Sequence, residues 1–466
     1  MLGSLPCPSY DICSNENGDF IIVGGGGSVK SGVINQVIIA DINSQLNAKE
    51  NDFLKDKLTI PTDEKLYNSV FSSKTIEGLD LLFFGCDEKC VVVEISKDNN
   101  YKIHTSFITD YTKLEGHSFP SVNCFTMIYN NNKSYLITGG EDGIIRCWTV
   151  NVNGNDTNSN SVSVTSCVEL SKHHKAIMSL DCYPQSSSSS SKPWVVSASK
   201  DGSIKICDVS KAHDKKKNCE LFSFNCSSGT STTAVEVRGV AWSPHADRIY
   251  AIQCNRGGGT YLTSFKVIIE SNSSNIDLKP LNATLVCKVP STRMCLSSCG
   301  RYLAVGSSDG AIHVLHVSNK ERGTINRITT RLAHSFPVTG LAFMKRDDDR
   351  DDYFDTKDEN SNYSTNGHGK KNSKGKKKNI KKQKKNKTLN NNESFSSSTS
   401  STATITTETK VDVGEILMSV SADKTFYRLP LKDIQLQTLL TTHLSTILLI
   451  ILVIIVLIYK YWHELL

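Results

Sequence analysis

The sequence predicts an all-β protein, a seven-bladed β-propeller, which is followed by one C-terminal transmembrane helix. Three observations support this prediction: a hairpin pattern that recurs roughly every 50 residues, a glycine-rich turn near the start of the chain, and one aliphatic run near its end. The chain has 466 residues, 15 cysteines and a formal net charge of +6. This length accommodates one large domain with additional segments.

One pattern recurs along the chain: an aliphatic strand, a pair of small residues, an acidic turn with glycine, and an alternating second strand. Tyr135–Trp148 is the clearest copy, with Asp142-Gly143 in its turn. An Asp-Gly pair between alternating apolar runs is a strong signal for a β-hairpin. The aspartates of these turns are Asp87, Asp142, Asp201, Asp309 and Asp423.

The spacing of the turns predicts seven blades. The first four aspartates are 55, 59 and 108 residues apart, so the last gap holds two periods, and its missing turn falls near Gly257–Gly259. From Asp309 to Asp423 there are 114 residues, and a low-complexity insert of about 65 residues leaves about 49, one further period. Gly24–Gly27 supplies the remaining turn. Repeats of roughly 50 residues are typical of propellers.

Other residues predict blades of the WD-repeat type. Trp148 and the pair Cys207-Asp208 stand where a WD repeat places the Trp-Asp that ends the third strand of a blade. His174 and His334 precede apolar runs, as the Gly-His of such repeats does. Most copies lack the full set of these residues, so the sequence indicates a divergent WD-repeat propeller.

Composition sets the boundaries of the remaining segments. We assign the blades to residues 1–345, a disordered low-complexity insertion within the last blade to 346–412, and the strands that close the propeller to 413–431. The insertion is acidic, then lysine-rich, then rich in Ser and Thr, and it cannot bury a core. Its eleven lysines between Lys370 and Lys387 have the charge to contact anionic lipid or RNA, with a solvated loop insertion as the alternative. The chain outside this lysine run is slightly acidic, so the overall basicity is no evidence for nucleic-acid binding, and no nucleic-acid partner is expected.

Residues 444–460 are predicted to form the transmembrane helix. From Leu444 to Tyr459, 13 of 16 residues are Leu, Ile or Val, and with the flanking leucines the run reaches the ~20 residues that cross a bilayer. Residues 432–443 would form a juxtamembrane linker and 461–466 a lumenal tail.

The N-terminus has no signal-peptide pattern, and the cysteines show no pairing pattern. The propeller is therefore expected to face the cytosol.

The most unusual segment is a glycine loop, residues 24–35, which has five glycines in its first nine positions. Such a loop is costly to order and is kept where the backbone needs positive φ or approaches an ion or a partner closely; a flexible hairpin tip is the alternative. Lys30-Ser31 is followed by a β-rich run instead of a helix, which excludes a Walker loop. The sequence contains no catalytic triad or carboxylate dyad, so we do not expect an enzyme with covalent chemistry.

The divergent propeller, the tetraglycine followed by Gly32-Val33-Ile34-Asn35, and the single C-terminal anchor together resemble a known family. It comprises the endoplasmic-reticulum WD-repeat guanine nucleotide exchange factors for the Sar-family small GTPase (the prolactin regulatory element-binding protein family). Ala333–Thr339 and Ser419–Leu431 are also similar to segments of that family. The resemblance implies that the protein promotes GDP release at the endoplasmic reticulum membrane, and so initiates COPII coat assembly and ER-to-Golgi transport. A membrane-tethered WD-repeat scaffold without exchange activity is the alternative.

The same resemblance implies roles for the loop residues. In that family the loop holds a potassium ion and engages the GTPase, and we expect Val33 and Asn35 to act on the GTPase. The other residues expected to contact the GTPase are Ser28, Val29, Lys30, Ser31, Gly32 and Ile34. The residues expected to hold the potassium ion are Gly26, Gly27, Ser28, Ser31 and Asn35. Val33-Ile34 departs from the family, in which Ile is often followed by Pro or a basic residue, so the side chain that wedges into the GTPase stays open.

Overall fold

The described residues of the computed structural model form seven antiparallel sheets of four strands each. The structure describes residues 2–15, 17–27, 32–42, 54–62, 67–72, 76, 78–96, 98, 100–112, 120–130, 133–153, 161–184, 192–212, 214, 217–226, 235–255, 258–269, 276–318, 323–344, 416–431 and 455. The 28 strands of this part are numbered in chain order, beginning with β1 (Leu2–Ser4).

The first three blades follow one another along the chain, each with its strands in sequence order. Their strands are β2 (Ser9–Ser14), β3 (Phe20–Gly24), β4 (Asn35–Ile42) and β5 (Leu54–Thr62); β6 (Tyr67–Ser72), β7 (Asp80–Cys86), β8 (Lys89–Ile95) and β9 (Tyr101–Ile108); and β10 (Val122–Asn130), β11 (Lys133–Gly140), β12 (Ile144–Asn153) and β13 (Ser161–Lys172).

Blades 4 to 6 repeat this order, with a short 3-10 helix, Val209–Lys211, after the third strand of blade 4. Their strands are β14 (Ile177–Cys182), β15 (Trp194–Ser199), β16 (Ser203–Asp208) and β17 (Glu220–Asn225); β18 (Val235–Trp242), β19 (Arg248–Asn255), β20 (Thr260–Ile269) and β21 (Ile276–Cys287); and β22 (Ser291–Leu296), β23 (Tyr302–Ser307), β24 (Ala311–Val317) and β25 (Ile325–Leu332).

Blade 7 combines both ends of the propeller sequence. It contains β26 (Val338–Phe343), β27 (Ile416–Ser421) and β28 (Thr425–Pro430), and its fourth strand is β1. β1 is antiparallel to β28, with Leu2 opposite Tyr427 and Ser4 opposite Thr425. The seven-bladed fold predicted from the sequence is confirmed, and the turn predicted near Gly257–Gly259 joins β19 to β20.

The blades are arranged as a ring. The first strand of each blade contacts the first strands of both neighbouring blades, and β26 contacts β2. Seven apolar clusters fill the interfaces, one between each pair of neighbouring blades. We call the face on which the first strands begin the upper face; it also carries the turns between the second and third strands, because each first strand begins beside the end of its second strand.

The glycines at the ends of the second strands in blades 3 and 6 are required by this arrangement. A Cβ atom added at Gly139 would lie 2.7 Å from Ile177 Cγ2 in blade 4, and one at Gly306 would lie 2.6 Å from Val338 Cγ1 in blade 7. The first strand of the next blade therefore occupies the space of a side chain. The pattern that revealed the repeat is a packing requirement of the ring.

The turn aspartates close their own turns. The carboxylates of Asp142, Asp201 and Asp423 accept the backbone N–H two residues further on, at 3.0, 2.8 and 3.0 Å, which is the geometry of an Asx turn. The second oxygen of Asp423 accepts the N–H of Ser335, in the connection that enters the same blade, at 2.7 Å. Glycine follows the aspartate in blades 3, 4 and 6 at positive φ, and in blade 7 Lys424 adopts φ of +65° instead.

A buried histidine lies beside the turn in two blades. Each ring nitrogen of His173 and of His334 lies 2.6 to 2.8 Å from a hydroxyl oxygen. The hydroxyl groups belong to Ser197 and Ser203 for His173, and to Ser419 and Thr425 for His334. The histidine thus joins the second strand of its blade to the start of the third.

The position of the first of these histidines corrects the sequence analysis, which gave the role to His174. His174 is exposed, whereas His173 is 1 % exposed. The N–H of His173 donates to Gly143 O of blade 3 at 2.8 Å, and this bond turns its side chain inward. The prediction was wrong by one residue because adjacent positions of an extended chain point in opposite directions.

Every first strand carries a β-bulge near its start. Beside each bulge, a side chain forms a hydrogen bond to the first strand of the neighbouring blade, at 2.5 to 3.3 Å. In ring order the bonds are Val70 N–H to Asp11 Oδ2, Ser69 Oγ–H to Val122 O, Asn123 Nδ2–H to Ile177 O, Ser179 Oγ–H to Val240 O, Arg238 Nη1–H to Ser291 O, Thr292 Oγ1–H to Val338 O, and Thr339 Oγ1–H to Ser9 O.

Several predicted segments lie outside the described residues. These are the insertion at 346–412, the linker at 432–443, the tail at 461–466 and, apart from Ile455, the transmembrane segment 444–460 with Leu444 and Tyr459. Within the part of the chain that the structure describes, no helix has the length and apolar character needed to cross a membrane.

We expect His173→Ala to destabilise the propeller and the adjacent His174→Ala to leave its stability almost unchanged. Loss of the His173 ring removes the partner of two buried hydroxyls, which costs about 1–3 kcal/mol, and leaves a cavity in addition. His174 is exposed, and a surface change of this kind stays within about 0.5 kcal/mol. Denaturant unfolding of the two variants measures both effects, and equal stabilities would contradict the buried role of His173.

A second prediction concerns pH. Burial lowers the pKa of His334 to about 4, with Asp423 acting in the opposite sense, whereas an unfolded histidine has a pKa of about 6.5. The contribution of neutral His334 is therefore present above about pH 6.5 and is lost as the pH falls to about 4. We expect the difference in unfolding free energy between the wild type and His334→Gln to shrink over this window.

The wild type must be compared with His334→Gln because Asp181 changes the stability of both proteins with pH in the opposite direction to His334. Burial raises the pKa of Asp181 to about 7, so its contribution is lost as the pH rises. This contribution is common to the wild type and to His334→Gln, and it cancels in the difference. Denaturant unfolding at pH 7 and pH 4.5 measures the effect, and a difference that is independent of pH would refute it.

Candidate functional site

The glycine loop joins β3 to β4 on the upper face of blade 1. Its described parts are Gly24–Gly27 and Gly32–Asn35. Gly25, Gly27 and Gly32 have φ values of +154°, +75° and +73°, in a region that residues with a Cβ atom rarely adopt. The backbone of the loop therefore requires glycine at these positions.

Asn35 closes the loop from its last residue. Its side chain is buried, with 4 % exposed. Asn35 Oδ1 accepts the N–H of Gly27 at 2.9 Å, and Asn35 Nδ2 donates to the carbonyl of Gly27 at 3.1 Å. A Cβ atom on Gly25 would lie 2.0 Å from Asn35 Oδ1. We call this pair of hydrogen bonds the Asn35 clamp; it fixes the backbone of Gly27 relative to β4.

The base of the loop is held by the segment that enters blade 1. Gly25 N–H donates to Pro8 O at 2.9 Å, and a Cβ atom on Gly24 would lie 2.1 Å from the same oxygen. Tyr10, which stands at the bulge of β2, donates its hydroxyl proton to Gly25 O at 3.1 Å. Burial, and to a smaller extent Cys7, raises the pKa of Tyr10, so the hydroxyl stays protonated at neutral pH.

The residues predicted to act on the GTPase have different environments. Val33 is half-buried and packs against the apolar cluster between blades 7 and 1, and Asn35 is held in the clamp. Ile34, between them, is 62 % exposed, and Gly32 is also exposed. The remaining predicted residues, Ser28, Val29, Lys30 and Ser31, lie outside the described residues. In the described part of the loop, Ile34 is the large side chain that faces solvent.

Oxygen atoms dominate the polar groups of the loop. Gly27 O and Asn35 Oδ1 each accept one hydrogen bond within the clamp, and a carbonyl oxygen has two lone pairs. Each oxygen thus keeps a lone pair after the clamp has formed, and oxygen is the ligand type that hard monovalent cations prefer. Two of the predicted ligands, Ser28 and Ser31, lie outside the described residues.

The cysteines offer no alternative site. All fifteen are free thiols, and desolvation raises the pKa of Cys147 and Cys226 to about 12. Thiols of this kind remain protonated at neutral pH and are poor nucleophiles. Within the described residues, no group of three or more His, Cys, Asp or Glu side chains is arranged to hold a metal ion.

The opposite end of the ring contains an apolar cavity of about 280 Å³. It lies where the first strands of blades 1, 2, 6 and 7 end, away from the glycine loop. Its apolar lining includes Ile12, Phe71, Leu296, Leu341, Phe343 and Met344. Among the described residues that line it there is no charged side chain, and its polar side chains are those of Cys13, Ser14 and Ser298.

The sequence matches one family model in two segments. The family is the WD domain, G-beta repeat, and the matched residues are 108–149 and 164–208. These segments cover most of blade 3 and the first three strands of blade 4. No curated protein shows significant similarity to the chain.

Solved structures are similar to this chain in fold. A protein from Lactobacillus plantarum has a TM-score of 0.52 at 10 % identity, over 71 % of this chain and 86 % of its own. The periplasmic gluconolactonase PpgL of Pseudomonas aeruginosa has a TM-score of 0.52 at 12 % identity, over the same shares of the two chains. Sqt1 of Chaetomium thermophilum, solved bound to the N-terminus of ribosomal protein L10, has a TM-score of 0.47 at 16 % identity, over 73 % of this chain and 79 % of its own.

Similarity at these identities concerns the fold alone. The strand order, the ring of blades and the two matched segments agree with each other and with the prediction from the sequence. The chain is a seven-bladed β-propeller that contains WD40 repeats.

Proposed function

We propose that the protein is a guanine nucleotide exchange factor that promotes GDP release from a Sar-family small GTPase at the endoplasmic reticulum membrane. In this role it initiates COPII coat assembly and ER-to-Golgi transport. The observation that carries the proposal is the Asn35 clamp, which holds the backbone of Gly27 on the upper face while Ile34 beside Asn35 stays exposed. A hairpin tip that only reverses the chain requires neither feature.

Exchange needs differential binding and no covalent chemistry. A small GTPase holds GDP through backbone amides, a lysine and Mg²⁺, and the exchange factor must bind the nucleotide-free conformer more tightly than the GDP-bound one. A thousandfold acceleration corresponds to about 4 kcal/mol of such a difference. Backbone that is already held in place, as that of Gly27 is by the Asn35 clamp, loses little entropy on binding. The protein is therefore proposed to act without an acid, a base or a nucleophile of its own.

The loop residues divide into positioning and contact roles. Asn35 is a positioning residue, because its amide is buried and engaged with Gly27. Val33 fixes the strand end by packing against the core. Ile34 is proposed as the apolar contact to the GTPase, together with Gly32 and with residues 28–31.

A potassium ion is proposed as a structural cofactor of the loop. The carbonyl oxygens of Gly26 and Gly27 and Oδ1 of Asn35 would hold it, with Ser28 and Ser31 as further ligands. A bound cation would supply a positive charge that attracts these oxygens and so would stabilise one conformation of the loop. The positive φ values of Gly25 and Gly27 would give the backbone the freedom to direct these oxygens at the ion.

The membrane arrangement belongs to the same proposal. Residues 444–460 would anchor the protein in the endoplasmic reticulum membrane, with the propeller in the cytosol and residues 461–466 in the lumen. The lysine-rich insertion would contact anionic lipid of the same membrane. The second candidate function is a membrane-tethered scaffold without exchange activity, and the WD-repeat propeller favours it because this fold is typical of protein-interaction scaffolds.

The rate of GDP release from a Sar-family GTPase tests the proposal. We expect the purified full-length chain to accelerate release, and Asn35→Ala to reduce the acceleration by about tenfold to a hundredfold, since two buried hydrogen bonds are worth about 1–3 kcal/mol. Asn15→Ala is the matched control. Asn15 closes the turn at the other end of blade 1 through two hydrogen bonds to Asp19, at 2.7 and 3.0 Å, so its loss should leave exchange unchanged.

The outcomes separate the two candidate functions. Acceleration by the wild type and Asn15→Ala, but not by Asn35→Ala, supports an exchange factor that acts through the glycine loop. Absence of acceleration by a folded wild-type chain would refute exchange activity and favour the scaffold. Thermal unfolding of each variant confirms that the propeller itself is intact.

Potassium binding is tested on the protein alone, without the GTPase. We expect amide hydrogen exchange at Gly27 to be slower in KCl than in NaCl of the same ionic strength, since a ligand that binds only the ordered loop stabilises it. In Asn35→Ala this dependence on the cation should disappear. Equal exchange rates of the wild type in the two salts would contradict a potassium-specific loop.

A further inference from the structure

Phe336 lies on the upper face, in the connection between β25 and β26 that enters blade 7. Its side chain is 55 % exposed, and that of Leu332, at the end of β25, is 77 % exposed. Exposed large apolar side chains that lie together on one face of a folded protein mark sites of protein–protein contact. An exposed side chain is better suited to bind a partner when its backbone is held in place, and the contacts around Phe336 show that this is so.

The backbone around Phe336 is held in place from both sides. Ser335 N–H donates to Asp423 Oδ2 at 2.7 Å, and Ser421 Oγ–H donates to the carbonyl oxygens of Phe336 and Pro337 at 3.3 and 3.0 Å. The ring of Pro337 restricts its own φ. The fold therefore holds the aromatic ring in solvent on a fixed backbone, and little freedom remains to be lost when a partner covers it.

The connection is joined to the glycine loop. Thr339, three residues after Phe336, donates its hydroxyl proton to Ser9 O at 2.7 Å. Ser9 is paired in turn with Gly24, the first residue of the loop. These bonds place the connection into blade 7 and the glycine loop of blade 1 on the same face of neighbouring blades.

Lys424 adds a positive charge to this face. It is exposed, in the turn between β27 and β28, and with a φ of +65° its backbone lies in the left-handed region. Its carbonyl accepts the N–H of Leu5 at 2.7 Å, in the segment that continues to Pro8 at the base of the loop. The upper face of blades 7 and 1 thus presents exposed apolar side chains together with a lysine.

We infer that Phe336, Lys424 and Ile34 form one docking surface, which binds an apolar patch bordered by acidic groups on the small GTPase. This inference rests on the proposed function and extends it: the glycine loop acts at the nucleotide site, and Phe336 anchors the GTPase on the neighbouring blade. Buried aromatic side chains supply most of the affinity of such interfaces. Charged groups at the edge set the association rate and the orientation of the partner.

Titration of the full-length chain, in detergent micelles, with the nucleotide-free Sar-family GTPase tests the inference. We expect Phe336→Ala to weaken binding by at least about tenfold. Lys424→Glu should lower the association rate by about tenfold at low salt, and by less at high salt, because the charge is screened. Tyr101→Ala is the matched control, since Tyr101 is an aromatic residue that is 41 % exposed on β9 of blade 2, and it should leave the affinity unchanged.

Each outcome bears on the inference. Phe336→Ala with wild-type affinity, in an experiment in which Asn35→Ala loses exchange activity, overturns the docking surface and leaves the exchange function standing. A wild-type chain that neither binds the GTPase nor releases GDP overturns both. If Phe336→Ala changes only the sedimentation of the chain by itself, the surface is an interface between two copies of the protein, and the GTPase assignment is refuted.

Discussion

The first strands of the seven blades lie side by side around the axis, and the other strands depend on this contact. Each first strand bends at a bulge, which directs a polar side chain to the next blade, so that a ring of hydrogen bonds accompanies the apolar clusters. The second strands are consequently buried between neighbouring blades. In blades 3 and 6 they end in glycine, because the first strand of the next blade occupies the space of a side chain. Because a bulge both bends a strand and re-aims a side chain, the same feature that closes the ring also brings Tyr10 of blade 1 to the glycine loop.

Features that depend on neighbouring residues could be predicted from the sequence. An aspartate that binds the N–H two residues on, followed by glycine at positive φ, needs only local chain, and these turns gave the number of blades. Features that depend on distant residues could not be predicted in the same way. The role of His173 depends on a bond to Gly143 of another blade, and β1 has three residues without an apolar pattern, so its pairing with β28 leaves no local signal.

The glycine loop shows the same division. Its five glycines identify a segment with special backbone requirements, and φ of +154° at Gly25 and +75° at Gly27 agrees with this. The different roles of Val33, Ile34 and Asn35 are not visible in the sequence, because they depend on the direction in which each side chain points before and at the start of β4, and on the apolar cluster against which Val33 packs. An asparagine at the end of a glycine loop can ligate an ion, contact a partner or bind the backbone; here its geometry is that of the third case, and its oxygen retains capacity for the first.

Pairing of β1 with β28 also has a consequence for synthesis of the chain on the ribosome. Among the described strands, Leu2–Ser4 leaves the ribosome before all others, and its partner Thr425–Pro430 is translated last. At about 5–20 residues per second, the N-terminal strand waits on the order of 20 to 80 s for its partner. During this time the nascent ring is open between its first and last blades, and the apolar cluster that will join them is accessible to chaperones and to other nascent chains. Synthesis of β28 therefore sets the earliest time at which the ring can close and this apolar cluster can be covered.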